Sequence, residues 1–126
     1  MYTDLLIQIK NAQQAKKEFI RIPFSTNDMT IAELLAANGY VEHAVKKGRL
    51  PKRIIEIKMK YKDGKGMIST VKLVSKPSRR LYAGYRELSR VRHGYGMGVI
   101  STPQGIMTTR EAKQKKVGGE ILFEIW

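Results

Sequence analysis

Apolar residues at Leu5, Leu6, Ile9 and Ala12 recur at helical spacing, and Thr3 and Asp4 stand near the start as caps, so the pattern predicts a first helix. Phe19, Ile20 and Ile22 form a short extended run that Pro23 stops. Ser25 and Asp28 then stand at capping-box spacing ahead of Ile31, Leu34 and Leu35, which predicts a second helix over about 26–38, ending at Gly39. Val41, His43 and Val45 alternate with their neighbours, as do Ile55, Ile57, Met59 and Tyr61. These are two strands joined by the basic loop KKGRLPKR. Helix, strand, helix, strand, strand makes a small α/β unit that closes near Tyr61.

The turn-forming segment YKDGKG at 61–66 marks the boundary between two domains, residues 1–62 and 63–126. Beyond it the pattern is β. Met67 to Ser75 reads as one strand, the Leu81-Tyr82 region as another, and Tyr95 to Ser101 as a third. Thr108 and Glu111 repeat the capping-box spacing before a short helix, REAKQKK, closed by Gly118 and Gly119. In the final EILFEIW, Ile121, Phe123 and Ile125 alternate with Leu122, Glu124 and Trp126, which predicts a terminal strand. The fold class is α+β: an N-terminal α/β unit packed on a β-rich C-terminal unit with one short helix.

Charge narrows the function. The 126 residues hold 24 Lys and Arg against 11 Asp and Glu, a formal +13 with a pI near 10.1. Both halves are basic: residues 1–62 carry 12 basic and 6 acidic side chains, residues 63–126 carry 12 and 5. With 42% hydrophobic residues the charge sits on a folded surface, which implies a polyanionic partner. A membrane-surface protein would concentrate its charge on one amphipathic helix, and no such segment exists, so nucleic acid is the better reading. The absence of Cys removes disulfides, thiolate nucleophiles and Cys-based metal sites and fits a reducing compartment. No 18-residue apolar run occurs, and the first residues lack the pattern of a signal peptide.

Catalytic signals are thin. His43 and His93 lie 50 positions apart, outside any metal-spaced cluster. The glycines of GYGMG precede a β-rich VIST where a phosphate-cradling loop would precede a helix, and GKG at 64–66 reads as a hairpin turn. No cofactor, metal or small-molecule substrate is expected. A basic nuclease would need a general acid and base beside its phosphate site, and none stands near the loops. An architectural DNA-binding protein would bind duplex DNA as tightly as an irregular RNA stem at equal salt.

STPQGIMTTREA at 101–112, followed by GGEILFEIW at the end of the chain, resembles the two signature blocks of the bacterial-type small-subunit ribosomal protein eight family. IKNAQ, IPFS, NGY and VSKPSRRLY agree in order and spacing, so the resemblance covers nearly the whole chain. Pro103 stands where Ser is commonest in the family, Thr109 where Asp is usual, and AGY at 83–85 where Lys is frequent. The resemblance implies a non-enzymatic protein of the ribosome, in the cytoplasm or in an organelle. It implies direct binding to an irregular stem in the central domain of small-subunit ribosomal RNA and help in ordering the platform. Ribosomal proteins numbered five and twelve are implied as neighbours.

The same resemblance places the main reader in the C-terminal half. Ser101 and Thr102, with Pro103 and Gly105 in the same loop, would approach the RNA closely and offer donors and acceptors. Gly118 and Gly119 would admit the RNA backbone, and a Tyr82–Glu120 hydrogen bond would justify an acidic group there. Lys76, Arg79, Arg80, Arg86, Arg110 and Lys113 would contact phosphates, as would the basic residues at 46, 47, 49, 52, 53, 90, 92, 115 and 116. From the residues alone, 101–105 is a β-turn and 118–119 a helix stop.

Overall fold

The computed structural model describes residues 2–49, 52–75, 79–87 and 96–126. They form two compact units, Met1–Ile68 and Ser69–Trp126.

In the first unit, α1 (Tyr2–Gln14) buries the predicted stripe of Leu5, Leu6, Ile9 and Ala12. The helix begins before Thr3 and Asp4, so these residues lie in its first turn instead of capping it; Asp4 there opposes the positive end of the helix dipole. β1 (Phe19–Pro23) leads to α2 (Thr26–Ala37), which buries Ile31, Ala32 and Leu35. Its C-terminus is a Schellman motif: Gly39, at φ +83°, donates to Ala36 O, and Tyr40 donates to Leu35 O. The predicted capping box at the other end does not form. Ser25 is the N-cap residue, but its side chain caps nothing, and Asp28 is drawn into the unit with its Oδ1 unpartnered.

β2 (Val41–Lys47) and β3 (Ile54–Met59) complete an antiparallel sheet in the order β1-β3-β2. Ile55, Ile57 and Met59 face the helix side with Ile22. β2 departs from simple alternation because a bulge lies between Val41 and His43. Val41 is buried, whereas His43 and Val45 pair with Lys58 and Glu56 on the outward face. The chain then makes a hairpin of β4 (Tyr61–Lys62) and β5 (Lys65–Gly66), whose turn residues Asp63 and Gly64 both have positive φ, as a type I′ turn requires. The predicted strand from Met67 begins only at Val71, because the Gln13 side chain takes both the N–H and the carbonyl of Ile68, at 3.0 and 2.6 Å.

The second unit is built on one sheet. Its strands are β6 (Val71–Leu73), β7 (Tyr82–Ala83), β8 (Met97–Thr102), β9 (Gly105–Thr108) and β10 (Gly119–Ile125), with a 3-10 turn at Tyr85–Glu87 and α3 at Thr109–Lys115. β10 is central, flanked by β8 on one side and by β6 and β7 on the other, and β9 extends β8. Ile100, Met107 and Ala112 are buried together beneath Ala83, Tyr85, Val117 and Ile121. A bulge between Ile121 and Phe123 interrupts the expected alternation of β10, so Leu122 is buried as well as Phe123 and Ile125. Here the N-cap forms: Thr108 Oγ1 accepts from the Glu111 N–H at 3.1 Å, and its hydroxyl, in place of the backbone N–H of a full capping box, donates to the Glu111 carboxylate at 3.2 Å. α3 closes on Lys116 in the left-handed conformation, so the expected stop at Gly118 and Gly119 is not what ends it. Within the described residues the architecture is the expected α+β.

Candidate nucleic-acid interface

β8 and β9 form a hairpin with Pro103 and Gln104 as its two loop residues and Thr102 opposite Gly105. The Thr102 hydroxyl holds this turn from within. It donates to Gly105 O at 2.8 Å and accepts from the Gln104 N–H at 3.1 Å, and the residue is 9% exposed. Its only proton is therefore committed to the protein. Pro103, Gln104 and Gly105 are exposed, and Gly105 adopts φ +119°, open to glycine at no steric cost.

Register carries this tip across the sheet. Ser101 pairs with Ile106 on β9 and with Glu120 on β10, and Glu120 pairs with Tyr82 on β7. Directly opposite residues of antiparallel strands share a face, so Tyr82, Glu120, Ser101 and Ile106 form one row over four strands. Tyr82 is 67% exposed and the other three are partly exposed. The row offers a phenol, a carboxylate, a hydroxyl and an aliphatic side chain. Among the described residues, no hydrogen bond joins Tyr82 to Glu120, although register makes them neighbours.

Gly118 and Gly119 are required by the protein's own packing. A Cβ on Gly119 would collide with the Ser101 carbonyl and come within 3.1 Å of Thr102 Cα; one on Gly118 would lie 2.5 Å from Ala83 O. Neither has positive φ. The room these glycines leave is filled by β8 and β7.

Ser75, which no motif singled out as functional, fixes the approach to β7. Its Oγ accepts from the Leu81 N–H at 3.0 Å, and Leu81 O in turn accepts from the Ile121 N–H at 2.9 Å. This clamp holds the end of the loop that carries exposed Arg79 and Arg80 and then Tyr82. Its sequence signal is only that Ser75 lies inside VSKPSRRLY. Arg86 stacks on Tyr85, with the guanidinium carbon 5.6 Å from the ring centroid, and Arg110 and Lys113 project from α3. Lys76, with positions 90, 92 and 93, lies outside the described residues. Among the described residues no cluster of His, Asp and Glu could hold a metal ion, and no helix is long and apolar enough to cross a membrane.

The family model described as ribosomal protein S8 matches residues 1–126. The chain belongs to the ribosomal protein S8 family. It is 40% identical to small ribosomal subunit protein uS8 of Mycoplasmopsis agalactiae over 98% of this chain and 95% of that one. It is equally identical to the uS8 proteins of Thiobacillus denitrificans, over 94% and 91%, and Rhodopseudomonas palustris, over 98% and 95%. The chain is thus a structural protein of the small ribosomal subunit, working in the ribosome in the cytoplasm.

Proposed function

We propose that this chain is a primary binder of small-subunit ribosomal RNA, gripping an irregular stem of the central domain and helping to assemble the platform. The observation that carries the reading is the outward row Tyr82–Glu120–Ser101–Ile106, which ends at the exposed Pro103-Gln104 tip. Double-stranded RNA hides its major-groove edges, so a protein reads it by shape, 2′-hydroxyls and unpaired bases. The row is suited to such reading, since Ser101 and Tyr82 can donate or accept and Glu120 accepts from 2′-hydroxyls or base amines.

Arg79, Arg80, Arg86, Arg110 and Lys113 supply the sequence-independent part by neutralising phosphates, together with Lys76. Thr102 and Gly119 act one step back, the first by fixing the turn and the second by letting β10 close on β8. The neighbours in the subunit include ribosomal proteins five and twelve.

The test is binding of an irregular central-domain stem and a perfectly paired control, each across a salt series. Affinity for both falls with salt, each neutralised phosphate adding roughly 0.7–0.9 to the logarithmic slope. The irregular stem stays tighter throughout. Equal affinity for the two stems, or for duplex DNA at equal salt, would overturn the reading.

A further inference from the structure

The first unit carries a surface unlike the rest of this basic protein. Between α1, β1 and the start of α2 lies a depression of about 380 Å³. Ile7, Ile22, Pro23 and Phe24 give it apolar walls, and among the described residues Asp4 and Asp28 are its charged groups and no Lys or Arg lines it. Ile7 is 53% exposed although Leu5, Leu6 and Ile9 of the same helix are buried. Asp28 is only 8% exposed and its Oδ1 has no hydrogen-bond partner.

A buried carboxylate oxygen without a partner is costly, because that oxygen has lost water and received no hydrogen bond in exchange. Burial accordingly pushes the Asp28 carboxyl above its ordinary range and the Asp4 charge adds to this, while the amino-terminal charge acts the other way. Lys46 sits nearby, but over the Phe24 ring at 5.4 Å, not on Asp28. Two carboxylates repel phosphates, so RNA is the wrong occupant. The site lacks the ligand number for a metal ion. A long cationic side chain fits both features, since its alkyl stem covers apolar wall while its head reaches the carboxylate.

We infer that this depression is a docking site for another protein of the subunit, which inserts a Lys or Arg flanked by apolar residues so that its charge meets Asp28. A +13 chain attracts RNA almost everywhere, and a local acidic and apolar patch is how such a surface selects a basic protein segment instead. The inference does not depend on the RNA-reading row of the second unit.

The test places a benzophenone amino acid at position 7 of the full chain, assembles it into small subunits, and maps the photo-adduct by mass spectrometry. The expected adduct is on a ribosomal-protein peptide with Lys or Arg beside apolar residues. Asp28→Asn should lower its yield roughly tenfold or more while leaving binding to the irregular RNA stem unchanged. The free Asp28→Asn protein should melt no lower than wild type, since an unpaired buried charge has been removed, a result that a purely structural role for Asp28 would not produce. Should that variant fail to fold, the exposed Asp4→Asn should lower the yield in the same direction. An adduct on RNA, no adduct, or a yield indifferent to both substitutions overturns the inference. So does a spermidine titration of the free chain that shifts the NMR signals of Asp28 and Ile7 when no protein adduct forms, because the occupant is then a polyamine.

Discussion

Each unit has an antiparallel sheet with a glutamate on the outward face of its central strand, and the two glutamates are treated in opposite ways. Glu56 on β3 accepts from Lys47 Nζ at 2.8 Å and Arg21 Nε at 3.1 Å, and is 7% exposed. Glu120 on β10 is partly exposed between Tyr82 and Ser101, with no hydrogen bond among the described residues. The first carboxylate is satisfied within its own sheet, so that sheet needs nothing from outside to balance it. The second keeps its acceptor capacity for a partner, on a unit whose exposed cations would otherwise treat every phosphate alike. An acidic residue on a basic surface is therefore informative about recognition only when the protein itself leaves it unpaired.

The largest effect is expected from Gly119→Val. Its side chain would enter the space of the Ser101 carbonyl, so the β10–β8 pairing beneath Glu120 is lost. The expected destabilisation is about 3 kcal/mol or more, read by urea unfolding, with RNA binding lost for all RNAs together. Thr102→Val is next. It leaves the Gln104 N–H and the Gly105 carbonyl without their partner and should cost about 1–2 kcal/mol of stability, with loss of cognate affinity through a loosened turn. Ser101→Ala keeps the turn and removes only an outward hydroxyl. Cognate binding should weaken by about 1 kcal/mol in a titration while the melting temperature and the paired control stem stay unchanged.

How much of this was legible in the sequence depended on whether periodicity or geometry decided the residue. The stripe in α1, the Gly39 terminus and the Thr108–Glu111 box could be read, because each depends on neighbours within four positions. The Ser25–Asp28 box has the same spacing and failed, since Asp28 is drawn toward α1 and β1, a tertiary pull that spacing does not contain. Both bulges broke the period of two, reversing the outlook of Val45 and burying Leu122. At the candidate interface the motifs pointed to segments whose internal contacts only the structure reveals. Gly119 and Thr102 stand in a signature block, yet what they touch is strand β8 and their own turn. The row Tyr82–Glu120–Ser101–Ile106 joins residues up to 38 positions apart and exists only through register.

The smallest expected effect separates the two glutamates themselves. Hydrogen bonding from Lys47 is the largest influence on the Glu56 carboxyl; burial opposes it, and the charges of Lys47 and Arg21 add to it, so that the group is held below its ordinary value of 4.5. A carboxylate depressed in the folded state stabilises the protein above its unfolded pKa and loses that contribution as pH falls through the folded one. Wild type should therefore lose stability below about pH 4.5, and Glu56→Gln should lose less of it, giving a shallower acid limb in thermal melts. The difference is small because the Arg21 and Lys47 side chains are 66% and 54% exposed, where water screens the pairing. Glu120→Gln is the counterpart on the second sheet, where the carboxylate has no such ion pair among the described residues. Its signature should instead be in RNA titrations: removing one negative charge tightens binding to the paired control stem, while the preference for the irregular stem narrows because an amide is a weaker acceptor than a carboxylate. If Glu120→Gln left the preference for the irregular stem unchanged, the row on the second sheet would lose its claim to be the reader.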